Sequence, residues 1–318
     1  MNNVTKTLNI KYPIIQAPMS WMTNARLVAS VSNAGGLGIL GPNAGQTEVT
    51  SDPKETASRM RDEIHKTKAL TNKPFGLNIL TPRPNESLSE STFTNELLQM
   101  AFDEGIQYFA VVGTAHKEVF EQIKQHNGKI IFRPLTPTVE QMKLGESYGA
   151  DVAVATGSDE GGILPNQEFG TFTIVPSMVD AVNIPVLAAG GINDNRSVKA
   201  AFSLGAQGVY VGSRFLMTEE SPLNSKAKDL ILKSDSHDVI RVSPTQRAIE
   251  LGKALEYSSE LAKDPFNNEL DREISKNGGL RPGMLMGDFE NGIVSVNTGI
   301  GSITTIPSVT DLIEQLMA

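Results

Sequence analysis

Eight short apolar runs that alternate with stretches of helix formers constrain this chain more than any other feature. The runs begin at Ile14-Ile15-Gln16, Leu37 to Leu40, Phe75 to Ile79, Tyr108 to Val112, Lys129 to Phe132, Asp151 to Ala155, Pro185 to Ala188 and Gly208 to Val211. None has the apolar-polar alternation of a half-exposed strand, so each reads as a parallel strand covered on both faces. Thr23 is placed to cap a helix over Asn24 to Ser32, with Leu27, Val28 and Val31 on its apolar face. Further helices are expected near 53–70, 94–104, 116–125, 138–147 and 171–182, and one opened by Asn193 or Asp194. Ser308 to Met317 supplies the helix owed after the last strand. Strand and helix alternating eight times imply right-handed crossovers and a closed α/β architecture, the TIM (β/α)8 barrel.

In such a barrel the loops after strands seven and eight commonly hold a phosphate. Here they are Gly190-Gly191 and Gly212-Ser213. Each turn sets backbone N–H groups at the carboxyl end of a strand, and the first opens a helix. Two such turns side by side form an anion site suited to one phosphate.

The remaining loops offer fewer polar groups. Ala17-Pro18-Met19 after strand one is small and then flexible, which suits a backbone edge lying against a flat ring. Gly35, Gly36, Gly38 and Gly41 around strand two permit close packing. Asn78 ends an apolar run at the barrel mouth, where its amide can read a heterocycle edge as donor and acceptor or serve as an ordinary loop residue. Arg133 ends strand five, where it can neutralise an anion or form a surface ion pair.

Between strand eight and the last helix, Pro222 to about Leu280 is rich in helix formers and charge and carries little strand signal. It reads as a helical insertion on the catalytic face, so residues 221–283 form a lid and residues 1–220 with 284–318 form the barrel. The glycine-rich stretch Arg281 to Gly301 then returns the chain to the barrel.

Charge and cysteine content exclude several classes of function. The formal net charge of −8 without a basic cluster argues against nucleic acid. The absence of cysteine removes disulfides, thiol nucleophiles and thiolate metal sites. No HxH or HExxH pattern, Gly-x-Ser-x-Gly elbow or long apolar run appears, so neither a metal nor a membrane is expected. The first residues lack a signal-peptide core, which makes a cytoplasmic protein the expectation.

Four stretches taken in order resemble a known family. They are YPIIQAPMSWMTNARLVASVSNAGGLGIL at 12–40, PFGLNI at 74–79, ATGSDEGG at 155–162 and the AAGGI…GVYVGSRF unit at 188–215. The sequence is similar to the nitronate monooxygenases, formerly 2-nitropropane dioxygenases, a family that includes flavin-dependent enoyl-acyl-carrier-protein reductases. The resemblance implies an FMN-binding barrel acting on a small molecule with molecular oxygen, and leaves a homodimer open. It also implies that Ala17, Pro18 and Met19 line the isoalloxazine, that Asn78 bonds it, and that Gly161 and Gly162 line the cofactor side of the sixth loop. Gly190, Gly191, Gly212 and Ser213 would hold the phosphate, and Arg133 would face the reduced flavin's N1 or a phosphate.

The chain departs from the family at one chemically important position. The family's sixth loop ends Glu-Ala-Gly-Gly-His, whereas this chain has Asp159-Glu160-Gly161-Gly162-Ile163, and isoleucine carries no proton. A nitronate is already an anion, so its oxidation needs a base less than that of a neutral nitroalkane. Substitutes for the imidazole are His116 beyond strand four, or Asp159 or Glu160 with a pKa raised by burial. His65, His126 and His237 fall away from strand ends and are expected to play no part. Two other readings stand beside nitronate oxidation: an NADH-using enoyl-thioester reductase, and a flavin-holding barrel without the family's chemistry. The acidic charge argues against docking an acidic carrier protein.

Overall fold

The computed structural model describes residues 2–318. Its strands are β1 (Ile14–Gln16), β2 (Gly38–Leu40), β3 (Phe75–Leu80), β4 (Tyr108–Val112), β5 (Lys129–Arg133), β6 (Val152–Thr156), β7 (Val186–Ala189) and β8 (Gly208–Val211). All pair in parallel, in the order β1-β8-β7-β6-β5-β4-β3-β2. The ring closes between β1 and β2 through the Ile15–Leu37 bridge. Buried Gln16 completes that seam: its Oε1 accepts the Ile39 N–H at 3.1 Å and its Nε2 donates to the Ile39 carbonyl at 3.2 Å.

The intervening helices are α1 (Asn3–Leu8), α2 (Ala25–Asn33), α3 (Pro53–Leu70), α4 (Thr92–Asp103), α5 (Lys117–Gln125), α6 (Val139–Ser147), α7 (Thr171–Val179) and α8 (Asn195–Ser203). After β8 come α9 (Ser213–Leu216), α10 (Ser225–Lys233), α11 (Lys253–Lys263), α12 (Glu269–Lys276) and α13 (Val309–Met317). The expected barrel is therefore present, with strand ends displaced by about one residue from the sequence reading. No sequence pattern announces α1, whose Val4 and Leu8 pack into the barrel interior with Ile15, Leu37, Ile39, Ala110, Ile131 and Leu187. None of the helices is long and apolar enough to cross a membrane among the described residues.

Local chemistry corrects one capping assignment and decides another. Asn24, not Thr23, caps α2 by accepting the Leu27 N–H at 2.9 Å. Thr23 instead accepts the Gly41 N–H at 2.9 Å and ties the first loop to the second. At α8 the cap is Asp194, which forms a reciprocal capping box with Ser197, and Asn193 is left free for another role.

The insertion contains α10, α11 and α12, but it also carries an antiparallel hairpin that the sequence reading missed, β9 (Val239–Ser243) and β10 (Gln246–Ile249). Asp271 of α12 secures its turn by accepting bonds from the Ser243 and Thr245 hydroxyls and the Gln246 amide. The insertion is joined to the barrel through an apolar cluster in which Trp21 and Met22 meet Leu223, Ile231, Ile249, Met284 and Val296.

A buried carboxylate locks α2 to α3. Glu63, on α3, accepts the Ala25 N–H at 2.6 Å and pairs with Lys66 at 2.9 Å, so a negative charge sits at a helix N-terminus. Gly45 passes over this carboxylate with φ +68°, and a Cβ there would lie 2.3 Å from it. Gly45→Ala should therefore destabilise the fold by about 2 kcal/mol through backbone strain and loss of this cap. A urea midpoint unchanged from the parent would contradict that expectation.

Candidate active site

The first loop and the eighth turn lie side by side at the barrel mouth, because β1 pairs with β8. A Cβ on Gly212 would find the Met19 sulfur at 3.7 Å and the Ala17 methyl at 3.9 Å. The second loop closes from the other side, where a Cβ on Gly41 would strike the Met19 backbone nitrogen at 2.7 Å. Ala17, Pro18 and Met19 thus run between two glycine turns, one of them packed tightly and the other open. Trp21 holds φ at +67°, a conformation that is strained for a bulky side chain and is found where a surrounding structure enforces it.

The seventh and eighth turns lie side by side because β7 and β8 are paired, with Ala189 opposite Tyr210. Gly190 and Gly191 have φ of +102° and +70°, so side chains are disfavoured at both. The N–H groups of Gly190, Gly191, Gly212 and Ser213 donate to no other protein group among the described residues.

These turns are braced by residues from the far end of the chain. The Ser213 hydroxyl accepts the Asn297 N–H at 2.9 Å. Buried Asn297 and Asn193 exchange side-chain bonds of 2.7 and 3.0 Å, and Asn193 also donates to the Gly299 carbonyl at 2.8 Å. The sequence reading gave neither asparagine this role, because partners 104 residues apart leave no local pattern.

The sixth loop distributes its carboxylates to different tasks. The Asp159 carboxylate accepts the Thr171 N–H at 2.6 Å at the start of α7, and its carbonyl accepts the Thr298 N–H at 3.0 Å. It is engaged in fixing the loop. Glu160 pairs with Arg133, whose Nη2 lies 2.7 and 2.6 Å from the two carboxylate oxygens. Both side chains are nearly enclosed, with 9% and 12% of their surfaces exposed. Burial pushes the Glu160 carboxyl above its ordinary range, against the lowering influence of Arg133 and Arg247.

The other sequence candidates are placed unevenly. A Cβ on Gly161 would meet the Val296 carbonyl carbon at 2.3 Å, so that residue packs against the returning strand of chain, while Gly162 is exposed. Asn78 faces inward, and its amide nitrogen donates to the Ala110 carbonyl at 2.8 Å. Ile163 is 43% exposed and offers no titratable group. His116 stands at the start of α5, where Nε2 bonds the Glu86 carbonyl at 3.0 Å. No hydrogen bond joins it to Asp159 or Glu160 among the described residues. His65 lies on α3, His126 stacks on Phe102 at 3.7 Å, and His237 lies beyond α10.

The hairpin of the insertion reaches across this loop. Arg247 of β10 donates to the Ser158 carbonyl, and Thr245 accepts the Leu164 N–H at 2.8 Å. The lid therefore touches the segment that carries Glu160. Among the described residues no group of three or more His, Asp or Glu side chains could hold a metal ion.

Comparison with known proteins bears on the family and the fold. Residues 2–318 match the sequence profile of a family described as nitronate monooxygenase. A probable nitronate monooxygenase of Staphylococcus haemolyticus is 34% identical over 325 residues, covering 86% of each chain. The structure of FabK from Thermotoga maritima is similar with a TM-score of 0.85 and 29% identity, covering 99% of this chain and 94% of that one. A nitroalkane oxidase of Streptomyces ansochromogenes shares the fold at a TM-score of 0.79 and 22% identity, covering 99% and 96%.

Proposed function

Because the chain belongs to the nitronate monooxygenase family, we propose that it is an FMN-dependent oxidoreductase that oxidises alkyl nitronates with molecular oxygen. The observation that carries this reading is the set of N–H groups at Gly190, Gly191, Gly212 and Ser213, which are unused by the protein and lie on two adjacent turns. Such a set suits a phosphate ester. Bound there, FMN would supply the two-electron chemistry.

The rest of the site fits the same group. Ala17, Pro18 and Met19 lead away from the open Gly212 turn and offer a narrow wall for a flat ring. Asn78 keeps its carbonyl oxygen for the ring edge, because only its nitrogen is bonded to Ala110. The exposed Gly162 and the backbone of Gly161 form the border nearest the sixth loop. Arg247 and Thr245 of the lid tie down that loop on either side, at Ser158 and Leu164.

The residues present favour a substrate that has already lost its proton. Ile163 cannot accept one, Asp159 is committed to α7, His116 is tied to Glu86, and the Glu160 carboxylate is held by Arg133. A nitronate arrives ionised and needs no such base, whereas a neutral nitroalkane does. Oxygen uptake by the FMN-loaded protein should therefore be at least ~10-fold faster with a small alkyl nitronate than with its parent nitroalkane. Equal rates would contradict the reading. NADH-dependent reduction of an enoyl thioester would replace it with the second activity, toward which the likeness to FabK points.

A further inference from the structure

The ion pair of the sixth loop leaves much of the Arg133 guanidinium unused. Its Nη2 contacts Glu160 and, at 3.4 Å, the Ile163 carbonyl, while Nε and Nη1 donate to no protein group among the described residues. Two buried hydroxyls also have no partner, Thr156 Oγ1 and Tyr210 OH. Thr156 is 1% exposed and Tyr210 5%.

The strand register brings the two hydroxyl-bearing residues to one level of the barrel, and Arg133 is near enough to Tyr210 for its charge to act on the phenol. Thr156 pairs with Ala189, and Ala189 with Tyr210, so only a methyl group stands between the two hydroxyl-bearing residues. Val154, Leu187, Ala189, Ile131 and Tyr210 all belong to the interior cluster. Period two therefore turns Thr156 inward after Val154 and Arg133 inward after Ile131. Leaving a buried hydroxyl without a partner is unfavourable, and two together point to a group that completes them.

The chemistry of that group follows from the donors. Arg133 brings a permanent positive charge and spare N–H groups. Burial holds the Tyr210 phenol neutral and therefore able to donate, with Arg133 opposing and Glu160 reinforcing that effect. The charged groups facing Glu160 are Arg133 from β5 and Arg247 from the lid, with Asp159 its neighbour in sequence. Apart from the carboxylate of Glu160, each of these groups can donate a hydrogen bond.

We propose that Arg133, Tyr210 and Thr156 form a receptor for a small planar oxyanion, and that the Glu160 carboxylate occupies the guanidinium until such an anion displaces it. A carboxylate and a nitronate have the same shape, two oxygens sharing one negative charge. Only the identity of the natural anion rests on the proposed function. A Cβ on neighbouring Gly162 would meet nothing but the Glu160 carboxylate, which leaves that side chain room to swing aside. Once displaced, Glu160 is best accommodated as the neutral acid, so an anion and a proton enter together.

Calorimetric titration with formate and with nitrite, of both the FMN-free and the FMN-loaded protein, tests the receptor without reference to turnover. Both anions should bind more tightly at about pH 6 than at about pH 8, because proton uptake by Glu160 removes the competitor. Tyr210→Phe should weaken binding about tenfold, and Thr156→Val should act in the same direction should the first variant fail to fold. Glu160→Gln should tighten binding and flatten its pH dependence. The proposal is overturned if affinity is indifferent to pH and to both hydroxyl substitutions. It is also overturned if anions bind only the FMN-free protein, since the flavin edge would then own the guanidinium. Anion binding without nitronate turnover would instead remove the proposed substrate and leave the receptor standing.

Discussion

Replacing Ser213 with aspartate should strip FMN from the protein while leaving the fold intact. The Ser213 N–H is one of four backbone donors at the seventh and eighth turns that serve no protein acceptor. A carboxylate at this position would face the phosphate at close range. Two like charges about 4 Å apart near a protein surface repel by ~4 kcal/mol, which corresponds to about a thousandfold in the dissociation constant. Ser213→Ala separates this effect from loss of the hydroxyl, which costs only the bond from the Asn297 N–H and should weaken binding a few-fold. Quenching of FMN fluorescence on titration reads both constants, and a thermal melt checks the fold. Binding by Ser213→Asp as tight as by the parent would place the phosphate elsewhere.

The second large effect is expected at the ion pair. Arg133→Met leaves the Glu160 carboxylate enclosed without a counter-charge, and removing one partner of a buried pair typically costs about 3–5 kcal/mol. Glu160 can relieve that cost by taking up a proton. Its folded-state pKa is already raised above the unfolded value of 4.5, so its favourable contribution is complete below that value and is lost as pH rises through the folded pKa. The Arg133→Met defect should accordingly be largest in alkaline solution and shrink toward acid. Arg133→Met combined with Glu160→Met removes both charges and should regain most of the loss. Urea unfolding of the single and double variants in mildly acid and mildly alkaline buffer measures this. A double variant no more stable than Arg133→Met would show that burial of the pair is not what the fold depends on.

Legibility from sequence followed the distance over which each feature is encoded. The barrel was readable because runs such as Tyr108 to Val112 and Val186 to Ala189 are apolar without alternation, and a dense local pattern specifies a doubly covered strand. The turns at Gly190-Gly191 and Gly212-Ser213 were readable for the same reason. The hairpin was missed because TQRAIELGKAL reads as one helical stretch. Only Glu250, Leu251 and Gly252, the last at φ +50°, separate the end of β10 from the start of α11. Its first strand did carry a signal, the alternation of Ile240, Val242 and their polar neighbours.

Within the site, residue identity was readable but partnership was not. Arg133 and Glu160 were both singled out, and nothing in the chain says that one neutralises the other across two loops. Asn297 and Asn193 are joined only by the closed barrel. Tyr210 can be placed facing inward by period two, yet the isolation of its hydroxyl depends on how every neighbouring strand is packed.

An anaerobic absorbance spectrum of the FMN-loaded protein, recorded before and after adding an alkyl nitronate and then NADH, distinguishes a nitronate-oxidising flavoprotein from the other readings. Flavin bands at about 450 nm should bleach with the nitronate and not with NADH. A protein that takes up no flavin, or whose flavin is bleached by NADH and left untouched by the nitronate, would contradict the nitronate-oxidising reading.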